Sequence, residues 1–307
     1  LGAHGFLGSN MTRHLAAAGH HVTAYWRRRR TDLLQLKNVS SAVGDIRDSR
    51  SLANAIKDAD VVYHFASSTH PSRFFTDPAA EYSHSLQPLI GLMKAAVENG
   101  VRKFVFPSSG GTIYADSDHP RTESSATDPR SPYAIFKIAA EQLLLHASRQ
   151  RQFSVDIFRI GNPYGPGQTP RPGQGVIPHW IEAIGNQQPI RLFGDGSAER
   201  DYVYVDDLCR LMAVSCDRLE ESDIFNLGTG VATSLTALLD HLLALVGNQC
   251  SVERLPARAS DIRSVALSPE RLLQLAPNFQ FTPLRWGHAQ TLADHGVAGG
   301  RQERTAA

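Results

Sequence analysis

Gly2-Ala3-His4-Gly5-Phe6-Leu7-Gly8 is the stretch that decides what fold to expect. Its three glycines, spaced three apart, precede a helical pattern from Ser9 to Ala18 that stops at Gly19. The strand-like run His21-Val22-Thr23-Ala24-Tyr25 follows. Glycine suits such a turn because a Cβ would block either the tight bend or the approach of a ligand. The stretch predicts a strand–turn–helix–strand unit whose helix N-terminus can take a pyrophosphate.

The glycine triplet has an alternative interpretation, a turn that is simply rich in glycine, because the motif alone is weak evidence. The chain starts at Leu1 rather than Met, and the strand expected before the turn is almost absent. We therefore expect the natural protein to have a few residues ahead of Leu1.

Length and composition narrow the class of protein. The 307 residues are 42% hydrophobic and 20% charged, with a net charge of +1, enough for one large or two modest domains. The near-neutral charge gives no reason to expect nucleic acid or an anionic membrane as partner, and no apolar run approaches the roughly 20 residues of a membrane span. Cys209, Cys216 and Cys250 form no metal-binding or disulfide pattern. A cytoplasmic enzyme or binding protein without a metal fits best.

Strand and helix patterns alternate through the first half of the chain. Strands are predicted at 60–66, 103–106 and 155–159, and helices at 86–100 and 131–149. Continuous apolar runs such as 60–66 suit a parallel sheet that is covered on both faces. Repeated βα units predict an α/β fold, a Rossmann-like doubly wound parallel sheet.

The regular alternation of strand and helix patterns ends at about residue 162. The segment from Asn162 to Gly175 contains four glycines and four prolines, which predicts a loop or linker. Shorter elements follow, including a helix predicted over 206–218. We expect a dinucleotide-binding Rossmann domain over 1–162, to which some later segments return. Residues 163–307 should form mainly a smaller, interleaved C-terminal substrate lobe.

Tyr133-Ala134-Ile135-Phe136-Lys137 is the second strong signal. A tyrosine and a lysine four apart share one face of a helix. A lysine ammonium beside a phenol favours the phenolate and lowers the pKa of the tyrosine, which creates a general base or acid for use near neutral pH. The spacing alone has an alternative interpretation, a Tyr–Lys pair on the protein surface. Its place after a glycine turn and a serine-rich strand end makes it specific.

Six further segments accompany these two signals, three of them between the glycine turn and Tyr133 and three after Lys137, and with them the sequence resembles a known family over nearly its full length. They are Gly44-Asp45-Ile46, His64-Phe65-Ala66-Ser67, Pro107 to Tyr114, Asn162 to Gln168, Arg200 to Asp207 and Phe225-Asn226-Leu227-Gly228. The chain resembles the extended short-chain dehydrogenases/reductases of the nucleotide-sugar epimerase and dehydratase group. The resemblance implies Tyr133 and Lys137 as the catalytic pair. It implies dinucleotide contacts from Gly2, Gly5, Phe6, Leu7, Gly8, Asp45, Ile46, Phe65, Ala66, Ser67, Ser108, Tyr133 and Lys137.

One departure from the family concerns the catalytic hydroxyl. Members usually have Ser or Thr four residues before the tyrosine that aligns with Tyr114, and that position is Gly110 here. Thr112, or alternatively Ser109, could supply the hydroxyl that polarises the substrate oxygen; the other interpretation is that Thr112 only packs or caps. Dehydratases of the group have an Asp–Glu pair where Gly111 and Thr112 stand, and related decarboxylases have a Glu at the second position. The absence of an acid favours epimerisation or simple reduction.

A second departure concerns the cofactor. NAD-using members usually place an Asp at the end of the second strand, where this chain has Trp26, followed by Arg27 and Arg28. No carboxylate is available for the ribose 2′-hydroxyl, while guanidinium groups could pair with a 2′-phosphate. We therefore expect these three residues at the cofactor and favour NADP. NAD is the alternative, with the arginines only solvated, and epimerases of this kind generally hold NAD.

The substrate side is implied by alignment with the family. Arg200 resembles the arginine that grips a nucleotide-sugar diphosphate, and a bidentate guanidinium suits phosphate oxygens. The resemblance further implies contacts from Asn162, Gly175, Val176, Arg258 and Asp261; surface salt bridges are the alternative for the last two.

The sequence thus predicts a nucleotide-diphosphate-sugar 4-epimerase that works through a transient 4-keto sugar. The alternatives are an NADPH-dependent 4-ketoreductase and a non-catalytic dinucleotide-binding sensor or scaffold. Relatives pair through the helices that correspond to 86–100 and 131–149, so we expect a homodimer.

Overall fold

The computed structural model describes residues 1–28, 30–67, 79, 82–171, 175–247, 250–257 and 263–297. Its elements in chain order are α1 (Phe6–Ala17), β1 (Val22–Trp26), α2 (Thr31–Leu34), β2 (Val39–Val43), α3 (Ser49–Ala55), β3 (Val61–Tyr63), a π-helical turn (Tyr82–Leu86), α4 (Gln87–Glu98), β4 (Lys103–Ser109), α5 (Gly110–Ile113), α6 (Pro132–Arg149), β5 (Ser154–Ile160), β6 (Asn162–Tyr164), α7 (Val176–Gly185), β7 (Ile190–Phe193), β8 (Glu199–Tyr204), α8 (Val205–Met212), a 3₁₀ turn (Ala213–Asp217), β9 (Asp223–Leu227), β10 (Ala232–Ser234), α9 (Leu235–Val246), β11 (Val252–Leu255), β12 (Ser264–Val265), α10 (Glu270–Leu273) and α11 (Leu284–Asp294).

The main sheet is parallel. Strands β3, β4, β5 and β9 pair in that order, and β1 pairs with β2. Leu1 and Gly2 connect these two groups, because Leu1 donates to the Tyr63 oxygen at 2.7 Å and Gly2 donates to the Tyr25 oxygen at 3.0 Å. The strands are therefore arranged in one continuous layer, with the glycine turn starting at its middle.

Helices cover both faces of this layer. Alternate residues of β4 point to opposite sides, so that Phe104 and Phe106 join one apolar cluster and Val105 joins the other. Helices α3, α4 and α6 contribute to the first cluster, and α1, α8 and α10 contribute to the second. The doubly wound α/β arrangement expected from the sequence is confirmed.

A third apolar cluster forms the core of the second lobe. It includes residues of α7, α9 and α11 together with Ile190 and Leu192 of β7. Strand β8 separates the lobe from the main sheet, since Tyr202 and Tyr204 belong to the lobe core while Val203 lies in a cluster under the sheet. This strand places residues of the lobe beside the carboxyl end of β5 and β6.

Two predicted elements differ from the structure. The helix predicted over 206–218 ends at Met212, and a 3₁₀ turn follows. The Tyr63 hydroxyl donates to the Met212 carbonyl at 3.1 Å. If the α-helix continued, this carbonyl would accept from a backbone N–H of the next turn. Residues 162–164, predicted as loop, form β6 because they pair with β8.

The chain boundary between the two predicted domains stays a prediction. The structure places β9 in the main sheet although it follows residue 162 by about 60 positions in sequence. Within the described ranges, no helix has the length and the apolar character that crossing a bilayer would demand.

Candidate active site

The three glycines of the turn are required for different reasons. Gly2 has a φ of +82°, and a Cβ on it would lie 2.6 Å from the Ala66 nitrogen. A Cβ on Gly8 would lie 2.8 Å from the Gly2 carbonyl carbon, so α1 packs directly on the turn. Gly5 has an ordinary φ of −74°, and a Cβ there would meet protein only at 3.3 Å, the Gly2 oxygen. A Cβ at Gly5 would therefore require only a small shift of the turn, whereas a ligand close to this backbone would require glycine.

The start of α1 is suited to an anion. The N-cap residue, Gly5, has no side chain that could cap this end, and the first turn contains no acidic residue. Phe6 and Leu7 are half-buried there. Phe65, Ala66 and Ser67 follow β3 at the same edge of the sheet. The free N–H groups and the helix dipole favour a phosphate group at this position.

The end of β1 does not present a ribose acceptor. Trp26 is only 2% exposed, packs with Ala3 and Leu33, and finds no partner for its indole N–H among the residues that the structure describes. Its carbonyl accepts from Gly44 at 3.1 Å. Arg27 and Arg28 are exposed, and neither belongs to an ion pair found among the described residues. The two guanidinium groups, rather than the indole, are thus accessible at this edge.

Asp45, expected at the dinucleotide, forms hydrogen bonds with a neighbouring residue. Its carboxylate accepts from Arg47 Nε at 2.9 Å, Arg47 Nη2 at 2.8 Å and the Arg47 backbone N–H at 2.9 Å. These hydrogen bonds lower the pKa of Asp45 to about 2. Ile46 is half-buried beside the first sheet cluster. Asp45 therefore remains ionised and fixed near the end of β2.

Tyr133 and Lys137, the expected catalytic pair, lie in the first turns of α6. Ser131 caps this helix through the Ala134 N–H at 3.1 Å. Lys137 is buried, with Nζ 2.6 Å from the Pro107 oxygen, 4.6 Å from the Phe106 ring centroid and 5.5 Å from the Tyr133 ring centroid. Burial lowers the pKa of Lys137 to about 8, while Glu141 opposes this shift. The structure thus brings the Lys137 ammonium to the Tyr133 ring.

The candidate hydroxyls lie at the end of β4. Thr112 donates to Ser109 Oγ at 2.9 Å. Gly110 leaves no room for a side chain, since a Cβ would lie 2.8 Å from Leu267 Cδ2. Ser108, predicted at the cofactor, is buried and donates its hydroxyl to Glu141. Ser109 and Thr112 therefore remain the candidates for the hydroxyl that Gly110 lacks.

The predicted substrate residues fall in two groups. Asn162 lies beside α5, because a Cβ on Gly111 would be 3.5 Å from its Nδ2, and it donates to the Asp201 oxygen at 3.3 Å. Arg200 follows on β8 and donates from Nη1 to the Glu199 oxygen at 2.7 Å.

The remaining predicted substrate residues lie elsewhere. Gly175 caps α7 with a φ of +58°, and Val176 begins that helix. Arg258 and Asp261 lie outside the described residues.

Sequence reasoning missed a buried polar cluster next to the expected catalytic pair. Glu141 is fully buried and pairs with Arg159 at 2.7 Å. Arg159 also donates to the Tyr114 hydroxyl at 2.8 Å, which in turn donates to Asn226 at 3.0 Å. The available signal was the position of Glu141, four residues after Lys137 on one helix face. In the described part of the chain, no group of three or more acidic, His or Cys side chains is placed to hold a metal.

Comparison with known proteins agrees with this geometry. The model of the NAD dependent epimerase/dehydratase family matches residues 1–228. The chain is 32% identical to the UDP-glucose 4-epimerase of Mycolicibacterium smegmatis, over 88% of this chain and 89% of that protein. It is 33% identical to the dTDP-4-dehydro-6-deoxyglucose reductase of Escherichia coli, over 58% of this chain and 57% of that one.

A solved structure is also similar over nearly its whole length. The UDP-glucose 4-epimerase of Thermus thermophilus in complex with NAD superposes with a TM-score of 0.87 at 28% identity, covering 97% of this chain and 98% of that one. The glycine turn, the doubly wound sheet and the Tyr133–Lys137 pair thus occur in a chain that belongs to the NAD dependent epimerase/dehydratase family, within the extended short-chain dehydrogenases/reductases.

Proposed function

We propose that this protein is a nucleotide-diphosphate-sugar 4-epimerase that works through a transient 4-keto sugar. The observation that carries the proposal is the placement of Lys137 at the Tyr133 ring, next to β4 and its Ser109–Thr112 hydroxyl pair. The name of the Mycolicibacterium smegmatis relative gives independent support, since that protein is a UDP-glucose 4-epimerase over nearly the same length.

The glycine turn fits a nicotinamide dinucleotide, because Gly5 leaves its backbone open beside the uncapped start of α1. A bound dinucleotide supplies reversible hydride transfer at the sugar C4. Tyr133, as phenolate, takes the proton of the 4-hydroxyl and later returns it. Lys137 stabilises that phenolate by its charge, and Ser109 or Thr112 donates to the sugar oxygen. The chain's own residues therefore account for the proton and the orientation.

The absence of a carboxyl group at positions 111 and 112 favours epimerisation over elimination. A dehydratase or decarboxylase needs a carboxyl group to move a further proton, and the residues here are Gly111 and Thr112. The second candidate is a 4-ketoreductase, which the match to the Escherichia coli reductase favours. A sensor or scaffold would not need Lys137 buried at the tyrosine ring.

The cofactor assignment rests on the end of β1. The solved relative holds NAD and gives no support for the NADP preference expected from the sequence. The case for NADP is local: Trp26 is buried and offers no ribose acceptor, while Arg27 and Arg28 are exposed. A guanidinium group pairs well with a 2′-phosphate. We retain NADP as the proposed dinucleotide, with NAD as the alternative that titration decides.

The substrate is proposed to lie between the sheet and the lobe. Arg200 on β8 would bind the diphosphate, and Asn162 and the backbone at Gly175 and Val176 would contact the rest. Both Asn162 and Arg200 are placed by β8, since β6 pairs with this strand. A nucleotide-diphosphate sugar fits this set because it combines a doubly charged phosphate arm with a polar sugar.

We further propose a homodimer through α4 and α6. These helices carry exposed apolar side chains at Ile90, Val97 and Ile135, and an isolated apolar surface of this kind is commonly covered by a partner. Sedimentation should give a dimer at micromolar concentration, and a monomer would contradict it. Localisation in the cytoplasm stays a prediction.

Incubation of the purified protein with UDP-glucose and a panel of related nucleotide sugars tests the function, with NMR and mass spectrometry as the readouts. The protein as purified should interconvert a pair of 4-epimers without net consumption of NADPH. Stoichiometric oxidation of NADPH would instead identify the ketoreductase. Dinucleotide binding without either reaction would identify the scaffold. The Tyr133→Phe variant is the matched control, because it removes only the phenolic oxygen.

A further inference from the structure

A buried carboxylate lies one helical turn beyond Lys137. Glu141 follows it by four residues on α6, so the two side chains share one face of the helix. The carboxylate accepts from the Ser108 hydroxyl on β4 and from Arg159 on β5, whose Nη2 is 2.7 Å away. Two neighbouring strands therefore fix its position.

Arg159 is itself held by several acceptors. Its Nη1 donates to the Tyr114 hydroxyl at 2.8 Å and to the Glu123 oxygen at 3.0 Å. The guanidinium therefore faces Tyr114 and Glu123 as well as the carboxylate of Glu141. The cluster is rigid, because almost every polar atom in it has a partner on a different element.

Lys137 needs a nearby negative charge. Only 6% of it is exposed, and removing an ammonium group from water favours the neutral amine. The Pro107 oxygen and the Phe106 ring face it from β4 without any formal charge. His64, at the end of β3, stays neutral because burial lowers its pKa to about 3.

The charged and titratable groups around Lys137 are therefore few. They are Tyr133 and Glu141 on its own helix, His64 beyond β3, and Arg159 on β5 behind Glu141. Of these described groups, Glu141 is the one that opposes the effect of burial on the Lys137 ammonium.

We propose that Glu141 is a positioning residue, whose fixed carboxylate keeps Lys137 charged beside Pro107 and Tyr133. Ser108 and Arg159 hold its carboxylate for this task. The inference rests on the proposed function, in which Lys137 acts as an ammonium. The buried cluster thus affects proton transfer at Tyr133 indirectly, through the charge of Lys137.

Direct titration of the lysine tests this proposal. The protein is labelled with [ε-¹³C]lysine, and the Lys137 signal, assigned by its loss in Lys137→Met, is followed by NMR against pH. The wild-type midpoint should lie near the pKa of about 8 that burial produces. In Glu141→Gln the midpoint should fall by about one pH unit or more, because a nearby opposite charge is lost. The measurement needs no substrate, so absence of epimerase activity would refute the proposed function and leave this result standing.

Lys103 provides a matched control in the same spectra. It is buried at the other end of β4, with Nζ 2.8 Å from Asp156. Glu141→Gln should leave the Lys103 signal in place, and Asp156→Asn should move Lys103 but not Lys137. An unchanged Lys137 midpoint in Glu141→Gln, or an equal movement of Lys103, overturns the proposal.

A second variant covers the risk that Glu141→Gln does not fold. That substitution leaves Arg159 buried without its carboxylate, which is costly. Glu141→Gln combined with Arg159→Gln removes both charges together. Its Lys137 midpoint should still lie below that of the wild type, because Glu141 is the group whose charge opposes the effect of burial on Lys137. A midpoint equal to or above the wild-type value in this variant also overturns the proposal.

Discussion

Leu267 occupies the space that a side chain on residue 110 would need, since a Cβ on Gly110 would lie 2.8 Å from Leu267 Cδ2. Leu267 is fully buried, and its backbone N–H donates to Asp201 at 3.0 Å. Leu267 packs with Ile113, Tyr114 and Ala134. Packing between distant parts of the chain thus fills the space at the position where the family resemblance implies a hydroxyl.

Gly110→Ser should destabilise the protein by about 1–3 kcal/mol, the usual cost of forcing extra atoms into a packed core. Leu267→Ala is itself costly because Leu267 is fully buried, but the double variant should lose less stability than the sum of the two single losses, because the shorter side chain frees the space. Chemical denaturation of the two single variants and of the double variant measures the three free energies of unfolding. Additive losses in the double variant would show that Leu267 is not what excludes the side chain.

Tyr133→Phe should lower turnover at least about a hundredfold, the usual contribution of a general acid or base, while dinucleotide binding stays close to wild type. Lys137→Met should lose activity and also weaken dinucleotide binding, because the lysine is assigned to both tasks. Steady-state kinetics and calorimetric titration give the two quantities. Activity within a few-fold of wild type in Tyr133→Phe would remove this residue from the mechanism.

Ser109→Ala should reduce turnover by about a hundredfold, the typical cost of removing one donor to a developing oxyanion. Thr112 donates its proton to Ser109, so the proton of Ser109 is the one available for a sugar oxygen. Thr112→Val should cost only about tenfold, since it removes a hydrogen bond that orients Ser109. The reverse order of the two kinetic effects would assign the donor role to Thr112.

Arg27→Ala together with Arg28→Ala should remove a preference for NADP over NAD. A charge-assisted pair to phosphate contributes on the order of 1.5–3 kcal/mol, so the wild-type preference should be roughly tenfold to a hundredfold. Trp26→Asp is a poor test, because it would place a carboxylate where a buried indole packs. Calorimetric titration of cofactor-free protein with both dinucleotides gives the ratio. Equal affinities in the wild type, or tighter NAD, would show that the two arginines are only solvated.

His288 should make the protein less stable as the pH falls below 6.5. It is fully buried in the second lobe, neither ring nitrogen has a partner within the described part of the chain, and burial lowers its pKa from 6.5 to about 3. Above pH 6.5 both states are neutral, so there is no pH-dependent cost. Between pH 6.5 and 3 the imidazole is protonated in the unfolded chain but neutral in the folded protein. The free energy of unfolding therefore falls by about 1.4 kcal/mol per pH unit.

His288→Leu isolates this effect, because His64 and the other titrating groups remain in both proteins. The loss of unfolding free energy between pH 7 and pH 5 should be smaller in the variant by about 2 kcal/mol. Denaturant titrations at the two pH values measure it. Equal losses in the two proteins would show that the imidazole is solvated.

The sequence by itself determined the features that depend on local pattern. The glycine turn at Gly2, Gly5 and Gly8 is legible because backbone conformation and close approach restrict the residue type. The pairing of Tyr133 with Lys137 is legible because residues four apart share a helix face. The parallel sheet could be predicted from the alternation of strand and helix patterns, because apolar residues recur with different periods in strands and in helices.

Only the tertiary structure decided which distant residues meet. Leu267 fills the space beside Gly110, the Tyr63 hydroxyl donates to the carbonyl of Met212 at the end of α8, and Arg159 forms an ion pair with Glu141. None of these contacts has a local signal, because each joins residues brought together by the crossing of separate elements. Packing and buried hydrogen bonds select such pairs, and their identity depends on the whole arrangement of the chain.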